Sequence, residues 1–148
     1  MEPFFKYHGL GNDFVVLDRR KTARDIDESV SRLLCDRRRG IGADGVLVLL
    51  PPTSASAVAQ MVVHNADGSV AEMCGNGLRC VVRYLAEHDG SKNHPVSVTV
   101  DTGAGTLSSD VEWAPSGVER ITVAMGPALV EFRDEAVQGF IGTSVNMG

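Results

Sequence analysis

The residue with the clearest chemical potential in this chain is a cysteine that follows a turn and opens a helix. The turn is Asn65-Ala66-Asp67-Gly68-Ser69, and after four further residues the chain reads Cys74-Gly75-Asn76-Gly77-Leu78-Arg79. A helix N-terminus presents unpaired N–H groups and the positive end of the helix dipole, and both favour a thiolate over a thiol. A thiolate placed in this way is suited to removing a proton from a carbon atom.

The residues that follow Cys74 predict a binding site for a carboxylate. Gly75 and Gly77 carry no side chain, so a ligand can approach the backbone closely. The N–H groups of Gly75 and Asn76 lie in the first helical turn, where backbone donors bind anions. One short segment can therefore hold an amino-acid carboxylate and set a base beside its α-carbon.

Two asparagines are further candidates for substrate binding. Asn12 and Asn65 each lie where a predicted strand meets a glycine-containing loop. A neutral carboxamide both donates and accepts hydrogen bonds, so it can orient a zwitterion without adding a charge. Each side chain can equally do no more than cap its own turn, and the residues alone leave both possibilities open.

The other cysteines do not complete a site with Cys74. Cys35 and Cys80 are interpreted as small buried apolar residues. Cys80 follows Cys74 by six positions, about 240° around a helix, so it cannot face the same ligand. A thiol hydrolase, with His64 as the base for Cys74, is an alternative. The cysteines and histidines lack the paired short spacings of a zinc site, so we expect no metal.

The elements that must position these residues alternate between short strands and two helices. Asp27 is the predicted N-cap of the first helix, in which Val30, Leu33 and Leu34 form an apolar face. A glycine-rich loop, Gly40-Ile41-Gly42-Ala43-Asp44-Gly45, follows it. The patterns predict strands at 4–8, 14–18, 46–50 and 58–64, and antiparallel strands at 96–100, 106–111 and 119–125.

The second helix, from Leu78 to Glu87, is apolar around most of its circumference. Its charges are Arg79, Arg83 and Glu87, spaced by four residues, so they form one narrow stripe. A helix of this kind is nearly enclosed by other elements. We therefore predict an α+β fold with an antiparallel sheet curled around a nearly enclosed central helix, which Asp89-Gly90 terminates.

Length, charge and cysteine number limit the functional classes. A chain of 148 residues fits a single domain or one lobe of a larger enzyme. The net charge of −5 argues against a nucleic-acid partner. No apolar run approaches the roughly 18 residues of a membrane span, so we expect no membrane association. Three unevenly spaced cysteines do not form a disulfide framework, which favours a cytoplasmic protein.

Three motifs together resemble the diaminopimelate epimerase family. Asn65-x-Asp67-Gly68-Ser69-x4-Cys74-Gly75-Asn76-Gly77-x-Arg79 agrees with the signature of that family at every fixed position. The opening Lys6-Tyr7-His8-Gly9-Leu10-Gly11-Asn12-Asp13-Phe14 resembles its N-terminal motif, and the loop at 40–45 resembles a third. The motifs occur in the expected order.

The resemblance implies an isomerase that needs neither pyridoxal phosphate nor a metal. Such enzymes interconvert LL- and meso-2,6-diaminopimelate in the lysine and peptidoglycan pathway, with two cysteines exchanging the α-proton. Cys74 corresponds to one of these two acid/base residues. Gly75 and Asn76 correspond to the backbone that holds the reacting carboxylate. Substrate contacts are implied for Asn12 and Asn65, and for Gly45 through its backbone only.

The resemblance also implies a two-lobed enzyme, of which residues 1–148 form the N-terminal lobe. The second catalytic cysteine is then expected beyond residue 148, in a C-terminal lobe or another chain, and this chain alone is expected to be inactive or very weak. Two alternatives remain at this point. One is a non-catalytic lobe that self-associates through its exposed cleft face, and the other is an enzyme of the related proline racemase type.

Overall fold

The computed structural model describes residues 2–89, 96–137 and 140–146 of the chain. In order along the chain, its strands and helices are β1 (Phe5–Gly9), β2 (Asn12–Asp18), α1 (Glu28–Cys35), β3 (Gly45–Leu50), β4 (Ala59–Asn65), β5 (Val70–Ala71), α2 (Gly75–His88), β6 (Val96–Thr102), β7 (Gly105–Ala114), β8 (Gly117–Val123), β9 (Leu129–Val137) and β10 (Phe140–Asn146).

Strands β1 to β8 form one sheet in the order β1-β2-β3-β4-β6-β7-β8, with the short β5 paired to β4. Most neighbours are antiparallel, as the sequence predicts, and β2–β3 and β4–β6 are the parallel pairs. A parallel pair needs a crossover, and α1 and α2 lie in the two connections that supply one. The two helices are thus placed by the two parallel pairs.

The central strands are buried on both faces because a helix covers each face. In β2, Phe14 and Val16 belong to the core around α2, whereas Val15 and Leu17 belong to the core under α1. Strands β3 and β4 alternate in the same way. These strands therefore read as continuous apolar runs in the sequence.

Helix α2 contacts both edge strands of the sheet, β1 and β8, as well as strands between them. A helix can touch both edges only if the sheet wraps around it. Eight of its residues are buried, and the predicted charges Arg79, Arg83 and Glu87 lie on the side that is not. Asp89 terminates the helix with an N–H bond to the Leu85 carbonyl, 2.8 Å long, while Gly90 lies outside the described residues. The predicted α+β fold around a nearly enclosed helix is confirmed.

Two details of the elements differ from the expectation. Leu33 is 58% exposed, because the inward face of α1 is formed by the buried Ser31 and Cys35 together with Val30 and Leu34. The sequence predicts neither the short β5 nor strands β9 and β10, and the latter two pair with each other in a separate two-stranded sheet. Within the described ranges, no helix is both long enough and apolar enough to cross a membrane.

Candidate active site

Cys74 is the N-cap residue of α2, at the position that the sequence predicts for a reactive thiol. Its backbone is extended, with φ −144° and ψ 109°, and the next residue begins the helix. The half-buried thiol Sγ accepts a hydrogen bond from the Gly77 N–H, 3.4 Å long. The sulfur thus lies at the positive end of the helix dipole and takes one of its free donors.

Two further backbone donors, the N–H groups of Gly75 and Asn76, lie in the same helical turn as this sulfur. The Leu78 N–H bonds to the Cys74 carbonyl at 2.8 Å, which closes the first turn. Over the described part of the chain, nothing accepts a hydrogen bond from the N–H of Gly75 or Asn76. Free backbone donors at a helix N-terminus bind anions, so this geometry suits a carboxylate next to the thiol.

Asn12, Gly45 and Asn65 lie at neighbouring ends of three central strands, β2, β3 and β4. Gly45 begins β3 and is in register with Phe14 of β2 and with Asn65, the last residue of β4. A Cβ at Gly45 would come within 2.8 Å of the His64 carbonyl oxygen, so a side chain does not fit there. Gly45 is buried, and its proposed backbone contact with a substrate stays a prediction.

The carboxamide of Asn12 connects these strand ends to the start of α2. Its Nδ2 donates to Asp44 at 3.0 Å, and its Oδ1 accepts from the Asn76 Nδ2 at 3.5 Å. Arg79, one turn along α2, donates to the Asn76 Oδ1. The structure thus brings Asn12 and Asn76 together, with Asn76 held from both sides.

The side chain of Asn65 is bonded within its own turn. Its Nδ2 donates to the Ser69 Oγ at 2.9 Å, and its backbone N–H donates to the Ser69 carbonyl at 2.8 Å. Gly68 has a φ of +89°, as expected for a Gly in a tight turn. This bonding is the capping arrangement, while the exposed Asn65 keeps its carboxamide oxygen for other contacts.

The geometry contradicts the thiol hydrolase alternative. Met61 and Val63 of β4 point into the core around α2, so His64 points to the opposite face of the sheet. There it is 3% exposed and its Nε2 lies 2.9 Å from Asp25, while Nδ1 has no partner in the described chain. A histidine on the far side of the sheet cannot be the base for Cys74.

Cys35 and Cys80 are buried, as predicted for structural cysteines. Burial raises the pKa of the Cys80 thiol to about 11, with a smaller contribution from Cys74, because the thiolate is disfavoured without solvent. Burial also raises the pKa of Cys35. Neither is suited to acting as a base at neutral pH.

Sequence reasoning missed two groups at the site. One is a cluster of four charges around the glycine-rich loop: Lys6, Asp13, Arg37 and Asp44. The other is Met125, whose Sδ and Cε lie 3.4 Å from the position of a Cβ on Gly75 and so cover one side of the helix start. Asp44 is part of a motif quoted above, but only the pairing of β2 with β3 brings it to Asn12.

Comparison with known proteins gives a family and a fold. The family model described as diaminopimelate epimerase matches residues 4–130. A diaminopimelate epimerase of Magnetococcus marinus is 46% identical over 125 residues, which cover 84% of this chain and 42% of that protein. One of Gloeothece citriformis is 42% identical over 124 residues, which cover 83% of this chain and 42% of the relative. The chain thus spans less than half the length of these relatives.

A solved structure described as a predicted epimerase from Pseudomonas aeruginosa has the same fold. It superimposes with a TM-score of 0.76 over the whole of this chain and 57% of the other, at 15% sequence identity. At this identity the likeness is one of fold.

Proposed function

This chain belongs to the diaminopimelate epimerase family, and from that premise we propose that it supplies one lobe of an isomerase that interconverts LL- and meso-2,6-diaminopimelate. The observation that carries the proposal is the placement of the Cys74 sulfur at the N-cap of α2, beside two N–H groups that have no acceptor among the described residues. The proline racemase alternative is not favoured, because the family model and the relatives are diaminopimelate epimerases.

In the proposed reaction, Cys74 exchanges the proton of the substrate α-carbon. As a thiolate it takes that proton and leaves a carbanion, and a second thiol donates a proton to the opposite face; the reverse reaction exchanges these roles. The N–H groups of Gly75 and Asn76 hold the α-carboxylate and stabilise the negative charge that develops next to it. Asn12, Asn65 and the Gly45 backbone are proposed to orient the rest of the zwitterion.

We propose that residues 1–148 form one lobe of a two-lobed enzyme and that the second cysteine belongs to a C-terminal lobe. The low thiol acidity of buried Cys80 supports an external source for the second thiol. The coverage of only 42% of the relatives' length supports the lobe assignment. We also propose a cytoplasmic location, on the basis of the odd number of cysteines and the biosynthetic substrate.

A chimera tests the role of Cys74. The chain is fused to the remaining part of the Magnetococcus marinus relative and incubated with LL-diaminopimelate in D₂O. We expect deuterium at the α-carbon with the unchanged chain, loss of at least about 10³-fold in Cys74→Ala, and near-normal exchange in the matched control Cys80→Ala. The 148-residue chain alone is expected to exchange very slowly or not at all.

Two results would contradict parts of the proposal. Deuterium incorporation by the Cys74→Ala chimera would remove the proposed acid/base role. Full turnover by the 148-residue chain alone would remove the requirement for a second lobe. Iodoacetamide labelling of the folded chain is an independent check, and we expect Cys74 to react well before Cys35 and Cys80 because only Cys74 is partly exposed.

The alternative of a non-catalytic, self-associating lobe is not favoured, because the family model and the relatives are diaminopimelate epimerases. One surface nevertheless bears on association, since strands β9 and β10 expose the apolar side chains of Val130, Ile141 and Val145. We propose that this surface packs against a C-terminal lobe or a second copy of the chain. Sedimentation at high concentration tests the second possibility, and a strict monomer would count against it.

A further inference from the structure

The side chain of Asp44 contacts the start of β2 through one oxygen. Its Oδ2 accepts hydrogen bonds from the Asn12 Nδ2 and from the Asp13 backbone N–H, each 3.0 Å long. Its Oδ1 accepts from the Arg37 Nη2 at 2.8 Å. Both oxygens are thus engaged, and Asp44 ties the glycine-rich loop to the residue proposed to bind substrate.

These contacts fix the orientation of the Asn12 carboxamide. A carboxylate only accepts hydrogen bonds, so Asn12 must present its Nδ2 to Asp44 and not its oxygen. The Oδ1 then points to the other side, where the Asn76 Nδ2 lies 3.5 Å away. Asp44 is the partner that holds the Nδ2 end of Asn12, while Asn76, itself oriented by Arg79, donates to the Oδ1 end.

The charges around Asp44 keep it ionised. The hydrogen bond from Asn12 and then the one from the Asp13 N–H hold the pKa of Asp44 below its usual range. Arg37 lies within 2.8 Å of Asp44 and 2.7 Å of Asp13, and Lys6 lies 2.7 Å from Asp13. The charges of the two carboxylates and the two cations balance, so Asp44 stays ionised and remains a hydrogen-bond acceptor at neutral pH.

We propose that Asp44 is a positioning residue that fixes the Asn12 carboxamide for ligand binding. With one N–H given to Asp44 and one Oδ1 lone pair given to Asn76, Asn12 keeps one N–H and one lone pair. The N–H suits a ligand carboxylate and the lone pair suits a ligand ammonium. The choice of an amino-acid zwitterion as ligand rests on the proposed function, whereas the fixed carboxamide does not.

The first test reads the Asn12 carboxamide directly in the ligand-free chain. Side-chain ¹⁵N–¹H NMR signals are compared between the unchanged chain, Asp44→Ala and Asp44→Asn. We expect one slowly exchanging Asn12 Nδ2 proton in the unchanged chain, and loss of its protection in Asp44→Ala. Asp44→Asn should be intermediate, because an amide can accept through one oxygen only.

Asp36→Ala is the matched control for this test. Asp36 is the C-cap of α1, just before the glycine-rich loop, and accepts hydrogen bonds from the Arg38 and Arg39 N–H groups, 2.8 and 3.1 Å long, with no hydrogen bond to Asn12 in the described part of the chain. We expect it to loosen the loop and leave the Asn12 signals unchanged. The proposal would be overturned if Asp44→Ala left the exchange protection of the Asn12 Nδ2 proton unchanged, or if Asp36→Ala reduced it equally.

The second test is a double-mutant cycle on the binding of LL-diaminopimelate to the chimera described above, in the Cys74→Ala background so that the ligand is not turned over. We expect Asn12→Ala and Asp44→Ala each to weaken binding about tenfold, and the double variant to add little, because both remove one oriented group. Independent, multiplying losses would contradict the positioning role. Absence of binding by the chimera with Asn12 and Asp44 unchanged would instead count against the proposed substrate, and the NMR result on Asp44 would stand.

Discussion

Strands β1 to β8 and both helices form the body of the lobe, and strands β9 and β10 form a hairpin. The body buries most of its apolar side chains, whereas the hairpin exposes its apolar side chains. In the body, β2 and β3 bury residues on both faces. In the hairpin, the register places Val130 opposite Val145 and Ala136 opposite Ile141, so these four residues share one face, whereas two bulges place Phe132 opposite Ser144. The shared face is open to solvent, with Ile141 76% and Val145 45% exposed.

The difference separates what stabilises the lobe from what the lobe offers to a partner. In β10, Gly142 and Ser144 alternate with Ile141 and Val145 and so lie on the other face of the hairpin. A two-stranded hairpin is marginally stable in water by itself, and an exposed apolar face of this kind is typical of a binding surface. The body should therefore determine stability, and the hairpin should determine association.

The largest expected effect is in the body, at Leu78 of α2. Leu78 is fully buried in the core around α2, so Leu78→Ala should lower the free energy of unfolding by about 2–5 kcal/mol. Urea denaturation measures this loss. The matched control is Leu33→Ala on α1, which removes the same atoms from an exposed position and should cost less than about 1 kcal/mol.

Equal losses of unfolding free energy in Leu78→Ala and Leu33→Ala would contradict the difference in burial between the two positions. They would mean that α1 packs its Leu33 face against the sheet, as the apolar spacing of Val30, Leu33 and Leu34 predicts. In the structure, the small Ser31 faces inward instead and donates to the Asn65 carbonyl at 2.8 Å. This bond ties α1 to the turn before Cys74.

A smaller effect is expected at Asp101, a carboxylate of β6 that is only 4% exposed. Its Oδ2 accepts from the N–H groups of Thr53 and Ser54 and from the Thr53 hydroxyl, and its Oδ1 from the hydroxyls of Ser54 and Thr106. In Asp101→Asn the oxygen can stay with the N–H groups, while the Ser54 and Thr106 hydroxyls turn to accept. We expect a loss of about 1–2 kcal/mol at pH 7, measured by urea denaturation.

The pH dependence sharpens this prediction. Hydrogen bonds from the Ser54 and Thr106 hydroxyls hold the pKa of Asp101 well below its usual range. A lowered folded-state pKa stabilises the fold above the unfolded-state pKa of about 4, and this stabilisation is lost as the pH falls further. The difference in the free energy of unfolding between the unchanged chain and Asp101→Asn should thus become smaller below pH 4. A difference that does not change with pH would contradict the ionised state of Asp101.

Local signals in the sequence predict the body and the position of the candidate base. Asp27 accepts from the Val30 N–H as an N-cap, and Cys74 caps α2 after its turn, because both features depend on neighbours within three residues. The bond between Asn12 and Asp44 joins residues far apart in sequence and exists only because β2 pairs with β3. The hairpin was missed because Glu131-Phe132-Arg133-Asp134-Glu135 is rich in residues that disfavour strands.

The smallest effect on stability, and the sharpest test of the comparison, is expected in the hairpin. Val145→Ser and Ile141→Ser remove apolar area that already faces solvent, so each should change the free energy of unfolding of the body by less than about 0.5 kcal/mol. Each should reduce any self-association measured by sedimentation, because each removes apolar area from the shared face. The control Ser144→Thr alters the other face of β10 and should leave association unchanged. Loss of stability comparable with Leu78→Ala would mean that the hairpin is part of the body, and the distinction between stability and association would then fail.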